Sequence, residues 1–127
     1  MDPIANFLIS LKNTSKAGKP LVVSQYSKIK FEIAKLLSKK GLVGSVSRKG
    51  KKKLYIEVAL IYNDGKPTFS DIKKISKSSR RIYKQSKELF SFKNGFGETF
   101  LSTPKGVLSA MDAKKENVGG EVLFSIW

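Results

Sequence analysis

The chain has 127 residues and a mass of 14.1 kDa, enough for one domain or for two small ones. Its 25 lysines and arginines outnumber its 10 acidic residues, which gives a formal net charge of +15. It contains no cysteine and no histidine, which excludes disulfides, thiolate or imidazole catalysis, and metal sites built on either ligand. No apolar run approaches the roughly 20 residues needed to cross a bilayer. The opening Met-Asp-Pro-Ile lacks the features of a signal peptide, so we expect a cytoplasmic protein without membrane contact.

The charge balance favours a polyanionic partner. Self-repulsion at this net charge opposes a compact fold, whereas nucleic acid turns the same charge into attraction and releases counterions on binding. A membrane surface fits less well, because the sequence shows no basic amphipathic helix with a large aromatic face. A highly charged protein with scattered lysines stays an alternative. The only arginines are Arg48, Arg80 and Arg81, and this preference for lysine favours contacts to phosphates over the reading of base edges.

The amino-terminal half predicts the element order α-β-α-β-β. A first helix begins at Asp2-Pro3, since aspartate suits the N-cap and proline the first turn, and apolar residues then recur at helical spacing. A short buried strand at 21–23 and a helix capped by Ser27 follow. The half closes with two strands joined by a basic connection, at 42–47 and 54–62.

A turn cluster at 63–67 predicts the boundary between two subdomains, 1–64 and 65–127. The second subdomain is predicted to be mainly β. Ser109 and Asp112 have the Ser-x-x-acid spacing of a helix start, and that helix is expected to end near Gly119-Gly120. The predicted strands lie at 68–75, 80–84, 98–102 and 121–127.

The sequence offers no catalytic constellation. Without histidine, acid–base chemistry needs paired carboxylates or a lysine of lowered pKa. Four acidic residues fall in different predicted elements, with no spacing that brings two together: Glu88, Glu98, Asp112 and Glu121. Gly95-Phe96-Gly97 lacks the third glycine and the Gly-Lys-Ser/Thr ending of a phosphate loop. We therefore expect no enzyme, no catalytic residue, no metal, no cofactor and no small-molecule substrate.

Residues 102–107 carry the strongest local indication of function. They offer two hydroxyls, an ammonium group and a glycine directly after an apolar strand. Such groups bind a sugar–phosphate backbone or a base edge, and the same residues also suit an ordinary polar turn. Tyr83 lies in a short basic strand with Arg81 and Lys84, and both a core position and stacking on RNA are open to its ring.

Six segments resemble, in order and spacing, motifs of the small ribosomal subunit protein eight family, and the resemblance extends over essentially the whole chain. Ser102-Thr103-Pro104-Lys105-Gly106-Val107-Leu108-Ser109 is similar to the family's Ser-Thr-Ser-Lys-Gly-Val-Met-Thr signature, with Pro104 at the usual serine. Ser78-Ser79 stands where the family usually has Pro-Gly. The other similar segments are Asp2-Pro3-Ile4-Ala5, Ser27-Lys28-Ile29-Lys30, Arg81-Ile82-Tyr83-Lys84, Gly95-Phe96-Gly97 and Gly119-Gly120-Glu121.

The resemblance implies a fold, a partner and a set of contact residues. The fold would be α+β, with two small α+β subdomains packed sheet to sheet and the main RNA surface on the carboxy-terminal one. The partner would be the central domain of small-subunit ribosomal RNA, where such proteins help the platform assemble beside neighbouring ribosomal proteins. Carried over by motif, the RNA-binding residues are Ser102, Thr103, Lys105, Gly106, Tyr83, Arg81, Lys84, Ser27, Lys28, Lys30, Gly119, Gly120 and Glu121.

The expected location is a bacterial ribosome, with an organellar ribosome as the alternative. A basic protein that compacts nucleic acid without sequence preference is the competing function. An enzyme acting on RNA is a third, and the lack of a plausible general base argues against it.

Overall fold

The computed structural model describes residues 3–89 and 97–127, so the expectations for Asp2 and for Gly95-Phe96 lie outside the described residues. The chain forms two compact units, one up to Ser70 and one from Asp71 onward. Helices and antiparallel strands occur in both, and the predicted α+β class is confirmed. No helix within the described residues combines the length and apolar character needed to span a membrane.

From residue 3 onward the first unit holds two helices and five strands, which are α1 (Pro3–Lys16), β1 (Leu21–Gln25), α2 (Lys28–Lys39), β2 (Val46–Lys49), β3 (Tyr55–Ala59), β4 (Tyr62–Asn63) and β5 (Lys66–Pro67). Strands β1, β3 and β2 form an antiparallel sheet in that order. The predicted turn cluster forms the β4–β5 hairpin inside this unit. The division into subdomains 1–64 and 65–127 stays a prediction.

The helices of the first unit form where their apolar stripes predict, and the predicted cap of α2 is confirmed. Ser27 is the N-cap of α2, and its Oγ accepts a hydrogen bond from the backbone N–H of Lys30 at 3.2 Å. Apolar side chains from both helices and the central strand build the core, with Phe7, Leu8, Leu11, Ile33, Leu37, Ile56 and Val58 all buried. Burial of these stripes supplies most of the stability of such short helices.

Strand β1 differs from its prediction as a buried strand. Val22 is buried opposite Val58, whereas Leu21 and Val23 are 47% and 60% exposed. The strand lies at the edge of the sheet, and successive side chains of a strand point to opposite faces. The sequence did not indicate that buried and exposed side chains alternate here, because residues 21–23 are all apolar.

The second unit holds β6 (Ile72–Lys74), β7 (Tyr83–Lys84), a 3₁₀ turn (Ser86–Glu88), β8 (Glu98–Thr103), β9 (Gly106–Ser109), α3 (Ala110–Lys115) and β10 (Gly120–Ile126). Strand β10 is central, since it pairs with β6 and β7 along one edge and with β8 along the other, and β9 extends the sheet beyond β8. Leu101 and Val122 pack in a buried cluster with Ala110 and Ala113 of α3 and with Leu89.

The predicted start of α3 is confirmed, and its predicted end is wrong. Ser109 caps the helix and accepts from the Asp112 N–H at 3.2 Å. The helix ends at Lys115, because Asn117 adopts a left-handed conformation with φ of 58°. Strand β9 was not predicted from the sequence. It pairs with β8, and this pairing depends on the tight turn between the two strands.

Candidate nucleic-acid interface

The turn between β8 and β9 presents Pro104 and Lys105 at the end of a tight hairpin. Thr103 and Gly106 face each other at the base of the turn. The fixed φ of Pro104 suits the first central position of a β-turn, and Gly106 has a φ of 105°, which side chains with a Cβ rarely adopt. The Thr103 Oγ1 donates to the Gly106 carbonyl at 2.7 Å and accepts from the Lys105 N–H at 3.1 Å. The threonine hydroxyl therefore fixes the turn itself.

A row of three side chains crosses the sheet beside this hairpin. Glu121 of β10 is in register with Tyr83 of β7 on one side and with Ser102 of β8 on the other. Residues directly opposite on antiparallel strands place their side chains on the same face, and the next residues, Leu101 and Val122, are buried on the opposite face. Tyr83 is 67% exposed, which rules out the core position.

The carboxylate of Glu121 ties the basic strand to the centre of the sheet. Its Oε2 accepts from Ser76 Oγ at 2.6 Å and from Arg81 Nη1 at 3.0 Å, and Ser76 Oγ in turn accepts from the Ile82 N–H at 3.0 Å. Burial raises the pKa of Glu121, but the hydrogen bonds from Ser76 and Arg81 and the charges of Arg81 and Lys74 outweigh it and hold that pKa below its ordinary value. Glu121 acts here as an ionised positioning residue.

Ser76 belongs to this network and was missed from the sequence. Only 1% of the residue is exposed, and its hydroxyl connects the Glu121 carboxylate to the backbone of the basic strand. No motif marks it, because its partner lies 45 residues further along the chain.

At Gly119 and Gly120 the backbone of the neighbouring strands approaches the start of β10 closely. A Cβ on Gly119 would overlap the Lys84 carbonyl oxygen, and a Cβ on Gly120 would overlap the Ser102 carbonyl oxygen. The pair therefore permits close strand approach, and the prediction that it stops α3 is wrong. A shallow surface groove begins here, and it is lined by Tyr83, Lys84, Gln85, Ser86, Glu88, Gly119 and Gly120.

The Lys105 ammonium and the Ser102 hydroxyl differ in the contacts that they make within the protein. The Lys105 ammonium lies 2.9 Å from Glu116 Oε2, with both side chains slightly more than half exposed. Such surface pairs contribute roughly 0–1 kcal/mol, so a phosphate can replace the carboxylate at little cost. The Ser102 hydroxyl has no hydrogen-bond partner among the described residues. Both groups are therefore available to a ligand.

Comparison with known proteins decides the family. The profile of the family described as Ribosomal protein S8 matches residues 2–127. The small ribosomal subunit protein uS8 of Helicobacter pylori is 41% identical over 128 residues, which covers 99% of this chain and 98% of the relative. The uS8 protein of Erythrobacter litoralis is 38% identical over 127 residues, covering 99% and 97%. The chain belongs to the ribosomal protein S8 family. The relatives are named as ribosomal proteins and not as enzymes, and the predicted family is confirmed.

The amino-terminal motif of this S8 family member is divided between surface and interior. Lys28 is exposed at the start of α2, and the Ser27 hydroxyl caps that helix. Lys30 is only 8% exposed, and its Nζ donates to Ser24 Oγ at 3.1 Å and to the Gln25 carbonyl at 2.9 Å. The Lys30 ammonium is thus occupied within the protein. All other predicted contact residues lie in the second unit.

Proposed function

We propose that this constituent of the small ribosomal subunit binds the central domain of small-subunit ribosomal RNA and helps the surrounding platform assemble. The row of Tyr83, Glu121 and Ser102, next to the Lys105 hairpin, carries the proposal. It combines an exposed aromatic ring, an available hydroxyl and the Arg81 guanidinium on one face of the sheet, with the Lys105 ammonium on the adjoining hairpin. The proposed location is a bacterial-type cytoplasmic ribosome, with RNA and neighbouring small-subunit proteins as partners.

The chemistry of this face suits an irregular RNA rather than a regular duplex. A-form RNA hides its base edges in a deep, narrow groove, so side chains reach bases only where these are bulged or unstacked. The Ser102 hydroxyl can donate to or accept from a ribose or a base edge, and the Tyr83 ring can stack on an exposed base. Arg81 and Lys105 would hold the flanking phosphates, and Lys84 would contact the RNA from the surface groove that it lines with Tyr83.

Affinity and specificity come from different parts of the protein in this proposal. The formal charge of +15 supplies attraction to any RNA and makes binding sensitive to salt. The row and the hairpin supply the preference for one shape of RNA. On the first unit, Ser27 and Lys28 would lie against phosphates, whereas Lys30 would stabilise the protein itself.

A competition experiment tests the proposal. The dissociation constant of the full chain is measured for an isolated central-domain RNA helix, with and without excess duplex DNA. Ser102→Ala should weaken binding about 2- to 10-fold, the value of one hydrogen bond, and should change the chemical footprint only locally. Ser45→Ala removes an exposed hydroxyl from the other unit and serves as the matched control. Equal competition by duplex DNA would favour the nonspecific compacting function instead.

Cosedimentation gives the second test. The protein should travel with small ribosomal subunits in a gradient at a salt concentration that removes nonspecific basic proteins. Recovery only in the free fraction would contradict the proposal.

A further inference from the structure

Residues 48–53, which are the end of β2 and most of its connection to β3, concentrate positive charge at one tip of the first unit. Five of these six residues are basic, and all six are exposed. Lys49 pairs with Glu57, while Lys51, Lys52 and Lys53 have no ion pair among the described residues. This basic tip therefore holds three neighbouring lysines whose mutual repulsion an anionic partner would relieve.

The basic tip is held in a defined shape. Lys49 and Tyr55 are paired across the two strands, so the ladder continues up to the connection. Gly50 has a φ of 100°, and a Cβ there would overlap the Lys53 carbonyl oxygen. The connection thus folds tightly back on itself, and the three lysines are presented from a turn rather than from an extended arm.

An aromatic groove lies directly beside the basic tip. Its volume is about 600 Å³, and it is lined by Gln25, Tyr26, Lys52, Lys53, Leu54 and Tyr55. Two contacts hold Tyr26 in place. Its backbone N–H donates to the Leu54 carbonyl at 3.0 Å, and the centre of its ring lies 5.9 Å from the centre of the Phe31 ring. The Arg48 guanidinium lies 5.4 Å from the centre of the Tyr26 ring, and Tyr55 is 37% exposed.

We propose that this aromatic groove and the basic tip form a second RNA-binding site, which takes unpaired nucleotides. A base would stack on the tyrosines, and the phosphates on either side would contact Lys51, Lys52 and Lys53. An unpaired strand fits better than a duplex, because only a base released from its helix offers a face to an aromatic ring. An acidic peptide would use the lysines but leave the aromatic surface without a role. The inference rests on the proposed function only in taking RNA as the partner, since its residues lie in the other unit.

Photo-crosslinking locates the site. The full chain is mixed with a uridine octamer that carries one 4-thiouridine, irradiated, and digested for mass spectrometry. We expect crosslinked peptides that contain Tyr26 or residues 51–55. Crosslinks confined to residues 81–89 and 97–121 would overturn the inference.

Binding measurements test the two halves of the site separately. Changing Lys51, Lys52 and Lys53 together to glutamine should weaken octamer binding about tenfold and lower the slope of log Kd against log salt by about 2, the value for three phosphates of a single strand. The matched control changes three exposed lysines elsewhere on the same unit, and it should alter affinity less than about twofold. The control lysines are Lys16, Lys19 and Lys39.

Tyr55→Leu should weaken octamer binding about tenfold, leave a fully paired duplex unaffected, and be rescued by Tyr55→Phe, which keeps the ring. Melting temperatures identify any variant that fails to fold, in which case the crosslink decides. Equal effects of the two lysine triples, or equal competition by polyglutamate of the same charge, would overturn the inference. If the variants bind like the unaltered chain while Ser102→Ala still weakens the central-domain helix, this inference alone fails. If the unaltered chain binds neither RNA, the proposed function fails.

Discussion

Replacing Glu121 by glutamine removes one negative charge and keeps the size of the side chain. The carboxylate accepts hydrogen bonds from Ser76 and Arg81, at 2.6 and 3.0 Å. A hydrogen bond to a charged group contributes about 1.5–3 kcal/mol and a neutral one about 0.5–1.5, so the Ser76 bond should lose about 1 kcal/mol. The Arg81 side chain is about half exposed, and its ion pair adds only about 0.2–1 kcal/mol. We expect Glu121→Gln to lower the free energy of unfolding by about 1–2 kcal/mol near pH 7.

The pH dependence of this difference gives a sharper test than its size. The pKa of Glu121 is lowered in the folded protein from an ordinary value of 4.5. The stabilisation is therefore complete above pH 4.5 and is lost as the pH falls through the lower folded pKa. Glutamine does not titrate, so the difference between the two proteins should shrink toward zero in acid.

Urea unfolding of both proteins, from pH 7 down to the lowest pH at which they fold, measures the difference. Glu116→Gln is the matched control, because Glu116 forms an exposed pair with Lys105, and it should cost less than about 1 kcal/mol at any pH. A Glu121→Gln difference that stays constant down to acid pH would refute the assigned role of the charge. A difference no larger than that of the control would refute it as well.

Three further changes test other parts of the description. Glu116→Gln should release Lys105 and raise the affinity for the central-domain helix about two- to threefold in filter binding, and a fall would show that the ion pair positions the lysine for RNA. Gly120→Ala places a methyl group against the Ser102 carbonyl and should lower the free energy of unfolding in urea by about 1–3 kcal/mol, whereas an unchanged midpoint would contradict the close approach. Lys30→Met should lower stability by about 1–3 kcal/mol with little change in RNA affinity, and the opposite pattern would place the Lys30 ammonium on RNA.

The parts of the fold that depend on near neighbours in sequence could be predicted. The caps formed by Ser27 and Ser109 act within three residues, and the helical stripes repeat within one or two turns. The exposure of Leu21 and Val23 could not, because it depends on which strand occupies the edge of the sheet. The prediction for the end of α3 was wrong for a different, local reason, because Asn117 adopts the left-handed conformation two residues ahead of the glycines.

The candidate site also has parts that could be predicted from the sequence and parts that could not. The motifs identified Lys105, Ser102 and Tyr83 as contact residues. That Ser102 and Tyr83 lie on either side of Glu121 depends on the register of β10 with its neighbours, which the sequence did not show. The buried hydroxyl of Ser76 could not be found, because strand pairing alone brings it to the carboxylate. For Lys30 a surface role was expected, and local hydrogen bonds to Ser24 and Gln25 hold its ammonium inside instead.

The glycine pair at the start of β10 leaves a short strip of backbone, where the Lys84 and Ser102 carbonyl groups fill the positions that a Cβ would take. A molecule that lies against this strip meets amide and carbonyl groups whose chemistry is the same in every sequence. In the proposed interface, ligand preference would therefore be set on the neighbouring strands, at positions such as Tyr83 and Lys84 on one side and Pro104 on the other. Substitution there can retune the surface, while the strip between them stays chemically constant.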